Sequence, residues 1–515
     1  MSKADYVVVG VGTAGGAMAK LLSDDMSTSV IALHNGANLT DDPTIALSKN
    51  SIKTVLDALI GPPFYENGLS VDDHIWAIAN PGGGASSINA GAWARGTNQC
   101  FSKWEALAGP EWTVDRIIRT YKRLEDYKGV TTDIKARGYH GPIEVQQIAH
   151  PSKVSEKFTR AEIKATGFPF VLDYNDPDTP VGVSSQFQYT HSGPEGKYRV
   201  SSMNAFLNDK VITPDGQGVN GRKLQVLFDT FALRAIWSDT SGTKVVGVEY
   251  LQRGKQKSVC ANKGVIVCAG LRSSVFLLQS GVGPESLLTS LNIPVKYANP
   301  NVGQHLVDQP RIAVFFTSNP LDFPKDRNAI FAQIAWLPSP TGAKDTRICR
   351  MATTNPIPGI TIMVFDLVQA TMKGSVSISS NDPQDPPVVD YNFVNPDDVA
   401  TFLECLRAYL KPTAEILPTI DPTYNMIYPP LSIFDDPPAL RAFVVDSIGS
   451  NVSPQCHCRM APLDRGGVID GMGKVYGVDG LYVADDSSLP TPMDGSPMAT
   501  AYLMAANIAR QIHPK

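Results

Sequence analysis

Cysteine is scarce in this chain: seven in 515 residues, at positions 100, 260, 268, 349, 405, 456 and 458, scattered and odd in number. That usage argues against a disulfide framework and fits a reduced, intracellular setting. Charge is thin as well. Asp, Glu, Lys and Arg make up 18% of the residues, below the roughly 25% of an average globular chain. The formal net charge is −5, with no block of like charges and no basic stripe. Counterion release on nucleic acid needs such a stripe, so no nucleic-acid partner is expected. No apolar run reaches the roughly 18–20 residues of a membrane span. Met1 to Asp5 lead straight into Tyr6-Val7-Val8-Val9-Gly10 with no basic and apolar leader, which makes a cytoplasmic protein the expectation. There is no G-x-x-x-x-G-K-[ST] string and no G-x-S-x-G elbow, so neither a P-loop nucleotidase nor a hydrolase triad is supported.

Hydrophobic residues make up 43% of the chain, enough for large cores, and the length allows about three units of ordinary domain size. Tyr6–Val9 is a β-branched run, Ala17–Leu22 has helical composition and Val30–Leu33 is a second buried strand, which together predict a βαβ opening. Gly10-Val11-Gly12-Thr13-Ala14-Gly15 lies between the first strand and the helix. A lone G-x-G-x-x-G is weak in a chain with 42 glycines, but this context makes it a dinucleotide-binding turn. Its glycines allow a tight turn, close approach of a pyrophosphate and close helix–strand packing, while helix N–H groups face the phosphates. The ribose-binding acid expected at the end of the second strand is replaced by His34, followed by Asn35. Either His34 is a tolerated substitution with Asn35 helping, or it accepts a ribose hydroxyl, which a neutral imidazole can do and an imidazolium cannot; the second reading expects cofactor retention to weaken toward pH 6.

Arg311–Thr317, Phe331–Leu337, Ile360–Phe365 and Ser375–Ser379 read as short strands of one antiparallel sheet in a second domain. Pro396–Lys411 reads as a helix with Asp397 or Asp398 near its start. Gly480–Ala484 reads as a strand, followed by a Pro-rich turn and a helix from Pro497 to Gln511. The chain thus begins and ends in one α/β domain with another inserted. Trp93 and Phe101 read as packing aromatics.

The second glycine cluster, Gly83-Gly84-Ala85-Ser86-Ser87-Ile88-Asn89-Ala90-Gly91, completes a set of motifs with the opening fingerprint, Gly264–Gly270, Leu278–Pro284, Asn301–Pro310, Gly374–Asp390, Gly480–Ser487 and Gly495-Ser496-Pro497. In this order, over nearly the whole length, the chain resembles a glucose–methanol–choline (GMC) flavoenzyme. The resemblance implies an α/β fold: a Rossmann-like FAD-binding domain from residues 1–110, 190–310 and 460–515, and a substrate domain from 111–189 and 311–459 with an antiparallel sheet and helices. It implies FAD near Gly10, Gly12, Thr13, Ala14, Gly15, His34 and Asn35, with Gly83, Gly84, Asn89, Ala90, Gly91 and Ala92 toward the flavin. Ala232 falls on the adenine position, Asp485 and Asp486 on the pyrophosphate side, and Pro497 and Met498 at a helix start facing the flavin pyrimidine. Ile88 stands where some members carry the histidine that attaches FAD, so the cofactor is expected to be non-covalent.

The resemblance also implies alcohol oxidation, with hydride passing to flavin N5, a small-molecule substrate, and O2 or another acceptor reoxidising the flavin. In such enzymes a His takes the hydroxyl proton, with a His or Asn partner. Here those positions are Ser453 and Ser496, and a serine hydroxyl is no base near neutral pH. Three explanations stand. His457, on the family's Thr position, or Asp494 supplies the base from a shifted place; or the substrate hydroxyl is acidic enough to need none; or the chemistry is that of a non-redox lyase, cyclase or decarboxylase. Cys456-His457-Cys458 lacks the second cluster a structural zinc needs, so no metal is expected. Asp486 reads as an exposed or capping carboxylate. Substrate identity and oligomeric state are not legible.

Overall fold

A computed structural model describes residues 2–51, 64–178, 180–238, 242–324 and 328–514. Strand β1 (Ser2–Val9), helix α1 (Thr13–Ser23) and strand β2 (Val30–Leu33) form the expected opening. β1 starts before the β-branched run because Ser2, Lys3 and Ala4 continue the ladder against Val259, Cys260 and Ala261. All four residues of β2 are buried, which is why this segment reads as a continuous apolar run. Strands Leu224–Leu227, Lys255–Val267 and Leu481–Val483 join the two in parallel. Val245–Gln252 and Thr230–Trp237 extend the same sheet antiparallel, to seven strands. Helix α2 (Pro497–Ile512) packs on α1, so the two ends of the chain share one layer.

A second sheet has six antiparallel strands in the order Met426–Tyr428, Arg311–Thr317, Ile360–Leu367, Cys349–Ile357, Phe331–Leu337 and Gly182–Ser184. Arg311–Thr317 alternates strictly: Ile312, Val314 and Phe316 are buried in the core, while Arg311, Ala313, Phe315 and Thr317 face the other side. The fourth predicted strand is not part of this sheet. Gly374–Ser377 pairs instead with Gln304–Leu306 and Val388–Asp390, because Gly303 O captures the Val376 N–H at 2.7 Å.

The helix predicted over 396–411 continues to Ile420 through a wide turn at Leu406–Leu410. Pro412 has no N–H to give, and the wide turn accommodates that missing rung. Its N-cap is Asn395, whose side chain accepts from Asp398 N at 3.0 Å. Trp93 and Phe101 are fully buried.

Next to the glycine cluster lies a dry ion network. Glu125, fully buried, accepts from Arg95, from Arg137 Nε at 3.0 Å and from Trp93 Nε1 at 3.0 Å. Arg137 also reaches Asp173 at 2.9 Å. Removing one partner from a buried network leaves the others desolvated and uncompensated, at about 3–5 kcal/mol. Glu125→Gln is therefore expected to lower stability by that order, read as an earlier denaturant midpoint with an unchanged slope.

Candidate active site

A cavity of about 600 Å³ opens where the two large sheets approach each other. One wall is the glycine turn. Gly10, Gly12, Thr13 and Ala14 line it, and Gly12 caps α1 without any side-chain hydrogen bond, leaving the first N–H groups of the helix toward the space. Gly84 approaches so closely that a Cβ there would sit 2.7 Å from Gly12 Cα, at a φ of +55° that also favours glycine. Gly15 does not reach the cavity; a Cβ on it would meet Gly10 O at 1.8 Å, so it serves helix–strand packing. Gly83 and Gly91 likewise lie behind the surface, whereas Asn89, Ala90 and Ala92 line it. Asn89 is held by its Oδ1, which accepts from Gly91 N at 2.9 Å and Arg199 Nη1 at 3.3 Å. Ala232 and Asn35 lie on the lining, and Ile88 presents it with an aliphatic side chain that has no nucleophile.

His34 lines the cavity too, but its ring is fully engaged. Nδ1 accepts from Val11 N at 3.2 Å and Nε2–H donates to Asn80 O at 3.0 Å. The expectation that it accepts from a ribose hydroxyl is corrected: the backbone has taken both nitrogens. Burial pushes its pKa below the usual histidine value, with backbone contacts opposing. With both ring nitrogens held by the backbone and the imidazolium disfavoured by burial, cofactor retention is expected to be flat from pH 8 to pH 6, measured as flavin fluorescence released on dilution. The sign for stability follows: as pH falls below the unfolded value, the unfolded chain binds this proton first, so stability drops only on the acid side.

Asp485 is spent on organisation. Its Oδ2 accepts from Gly270 N at 2.8 Å and Ser273 Oγ at 2.6 Å, and its Oδ1 from Ser487 N at 2.9 Å. Asp486 is not an exposed carboxylate. It lines the cavity, its Oδ1 is buried with no protein partner, and burial with the adjacent Asp485 charge raises its pKa well above the carboxylate range.

The far wall holds Ser450, Asn451, Val452, Ser453 and Pro454, with Ser496, Pro497 and Met498 at the start of α2. Ser496 caps α2 without a side-chain bond, so that helix also opens its N-terminus here. Ser453 and Ser496 therefore meet one space. His457 does not. It is fully buried off the lining, its Nδ1 lies 2.9 Å from Ser274 Oγ, and burial pushes its pKa down to about 3. Cys456, at φ +68°, turns the chain and sends the imidazole inward. Asp494 is also buried away from the lining, accepting from Thr97 N at 2.9 Å and Thr97 Oγ1. The shifted-base expectation for these two residues is corrected on that geometry.

The sequence does not single out Asp308, which the structure places behind Ser450 and Ser453. It is 1% exposed. Its Oδ1 accepts from Gln309 N at 2.6 Å and Ser453 N at 3.0 Å, and its Oδ2 from Ser450 Oγ. Burial, partly offset by these bonds, raises it to about 6. Ser450 Oγ also accepts from Val452 N at 2.7 Å, fixing its orientation. Gln309 ties this wall to the α2 turn, donating to Met493 O at 3.1 Å and Gly495 O at 3.0 Å. Among the described residues no group of three or more His, Cys, Asp and Glu is placed to hold a metal, and no helix is long and apolar enough to cross a membrane.

The family model described as GMC oxidoreductase matches residues 4–311 and 370–505. The chain belongs to the GMC oxidoreductase family. An uncharacterized GMC-type oxidoreductase of Mycobacterium bovis is 26% identical over 551 aligned residues, covering 99% of both chains. An oxygen-dependent choline dehydrogenase of Sinorhizobium fredii is 28% identical, over 99% of this chain and 95% of the relative. Among solved structures, pyridoxine 4-oxidase from Mesorbium loti superposes with a TM-score of 0.86 at 22% identity, covering 99% of each chain. An Aspergillus oryzae formate oxidase gives 0.85 at 21% identity, covering 99% of this chain and 98% of the other.

This GMC oxidoreductase uses FAD, and its own residues fit that group. Two helix N-termini without side-chain caps open onto one cavity, which suits a diphosphate at α1 and electron-rich flavin at α2. The Gly12–Gly84 contact leaves room only for backbone, and the orphaned Oδ1 of Asp486 needs a partner that a bound ligand can supply.

Proposed function

We propose that this FAD-dependent oxidoreductase oxidises a hydroxyl-bearing small molecule, with hydride passing from the carbinol carbon to the flavin. The observation that carries the reading is one continuous cavity that runs from the Gly12–Gly84 cradle to Ser450, Ser453 and Ser496. The names of relatives support it: choline, pyridoxine and aryl alcohols all carry hydroxyl groups. FAD, held at the Gly12–Gly84 cradle and the N-termini of α1 and α2, would supply the hydride acceptor, with O2 or another acceptor reoxidising it. Ser453 and Ser496 orient the hydroxyl through hydrogen bonds. Ser450 Oγ, already donating to Asp308, accepts the substrate proton while passing its own to the carboxylate, and the carbonyl forms as the C–H bond breaks. Asp308 is thus the proton store, and its raised pKa matches it to work near neutral pH.

A second reading, a lyase, cyclase or decarboxylase without net oxidation, is favoured by the absence, among the described residues, of any imidazole beside Ser453 and Ser496 on the cavity lining. Anaerobic mixing of the holoenzyme with a panel of hydroxyl compounds separates them. Bleaching of the flavin absorbance is the expected result. Product without bleaching and without an acceptor would favour the second reading.

A further inference from the structure

Three charged side chains stand in a row across the antiparallel sheet, and none of them belongs to the dinucleotide cradle. Arg311 is the direct cross-strand partner of Asp366, and Asp366 is the direct partner of Arg350 on its other side. Residues opposite each other in adjacent strands point to the same face, so the three side chains form one cluster, and both arginines line the cavity. Arg311 Nε donates to Asp366 Oδ1 at 2.6 Å; Arg350 Nε and Nη2 lie 2.9 Å and 2.8 Å from Asp366 Oδ2. Asp366 is wholly buried and Arg350 is 7% exposed. The backbone of Arg311 exchanges hydrogen bonds with Gly449 at 2.8 Å and 2.9 Å, which fixes the cluster beside the loop carrying Ser450 and Ser453.

One carboxylate cannot satisfy two guanidinium groups. Each carries five N–H donors, and among the described residues neither terminal nitrogen of Arg311 nor Nη1 of Arg350 has a hydrogen-bond acceptor. The other nearby acid, Asp308, has both oxygens occupied by Gln309, Ser453 and Ser450. The other acids along the cavity are accounted for elsewhere: Glu66 pairs with Arg272, and Asp485 and Asp486 stand by the glycine cradle. Arg350 is buried and Arg311 partly so; a buried cation calls for paired acceptors, and a planar guanidinium edge matches a carboxylate with two parallel hydrogen bonds. Asp366 already neutralises one of the two charges, so the remainder suits a monoanion better than a phosphate dianion. Ile330 and Phe331 add apolar surface to the same cavity.

We propose that Arg311 and Arg350 form an anion subsite that holds a carboxylate of the substrate, making the substrate a hydroxy acid. This rests on the oxidation reading above. The carboxylate anchors on the free guanidinium edges, and the hydroxyl is presented to Ser450, Ser453 and Ser496. Arg311 and Arg350 are thus specificity-determining residues, with no share in the proton transfer.

The test is anaerobic titration of the FAD-loaded enzyme with lactate, mandelate and 2-hydroxyoctanoate, each against its methyl ester, following the shift of the flavin spectrum as a binding signal. The wild type is expected to bind at least one acid tenfold or more tightly than its ester. Arg311→Gln is expected to erase that preference while leaving ester affinity within threefold. Arg350→Lys, which keeps the charge beside Asp366, is a second variant should Arg311→Gln fail to fold, and it is expected to reduce the preference by losing the planar fork. If no acid outbinds its ester, or if the preference is undiminished in a folded variant of either arginine, the subsite is refuted. Binding and reduction are read separately. Esters or simple alcohols that bleach the flavin while no acid is preferred would sink this inference and spare the oxidation reading. An arginine-dependent preference without bleaching by any compound would do the reverse.

Discussion

Gly84→Val is expected to yield folded protein that leaves purification without FAD and without flavin absorbance. The reason is local and severe. At φ +55° a β-branched residue is strained, and even a Cβ would lie 2.7 Å from Gly12 Cα and 3.4 Å from Thr13 N. Those atoms are backbone, so no side chain can swing aside. The glycine turn must retreat from the second cluster, and the helix N–H groups that face a diphosphate lose their position. The global fold need not follow, because neither residue lies inside a strand of the seven-stranded sheet. Circular dichroism close to wild type together with a flavin-to-protein ratio near zero is the expected pair of readings; a fully loaded Gly84→Val protein would mean that the cofactor does not depend on this contact.

Asp308→Asn is the second large effect. An amide keeps the shape and can still accept from Ser453 N and Gln309 N, but it cannot take a proton from Ser450. Removing a positioned base costs about 10²–10⁴ in rate, and kcat is expected to fall within that range. The pH profile separates this from a structural defect. In the wild type, activity should fall as pH drops through about 6, where Asp308 becomes protonated and can no longer accept. In Asp308→Asn that acid limb should vanish while the residual rate stays flat. A low rate that keeps the same limb would remove Asp308 from proton transfer. The same raised pKa predicts a stability trend of opposite sense. The unfolded carboxyl titrates near 3.8, below the folded value, so the unfolded chain binds fewer protons in between, and stability attributable to Asp308 declines as pH rises through that interval.

Sequence and structure agree where the chemistry is local. Gly10 to Gly15 sit between a buried strand and a helix, and the spacing alone predicts the turn whose backbone opens onto the cavity. Pro497 at the start of α2 is legible for the same reason: a proline at a first helical turn costs no hydrogen bond. Where a side chain's partner comes from elsewhere in the chain, residue type misleads. His34 occupies an acid's place and invites a ribose role, yet Val11 N and Asn80 O consume both nitrogens. His457 lies four residues from Ser453, but the left-handed turn at Cys456 sends it into the interior against Ser274. The Arg311–Asp366–Arg350 row is invisible in sequence because it exists only through strand register, which a shift of one residue would turn to the opposite face. Asp308 lies within a stretch that carries the family pattern, but its pairing with Ser450, 142 positions away, requires the fold.

On the proposed reading a hydroxyl-bearing molecule gives up a hydride in a cavity where Ser450 and Asp308 stand in for imidazole. The anaerobic rate of flavin bleaching with a substrate carrying either hydrogen or deuterium on the carbinol carbon tests this most directly. Bleaching that slows with deuterium, with the rate falling below pH 6 for both isotopologues, is the predicted result. Turnover to product with the flavin oxidised throughout, indifferent to the isotope, would contradict it.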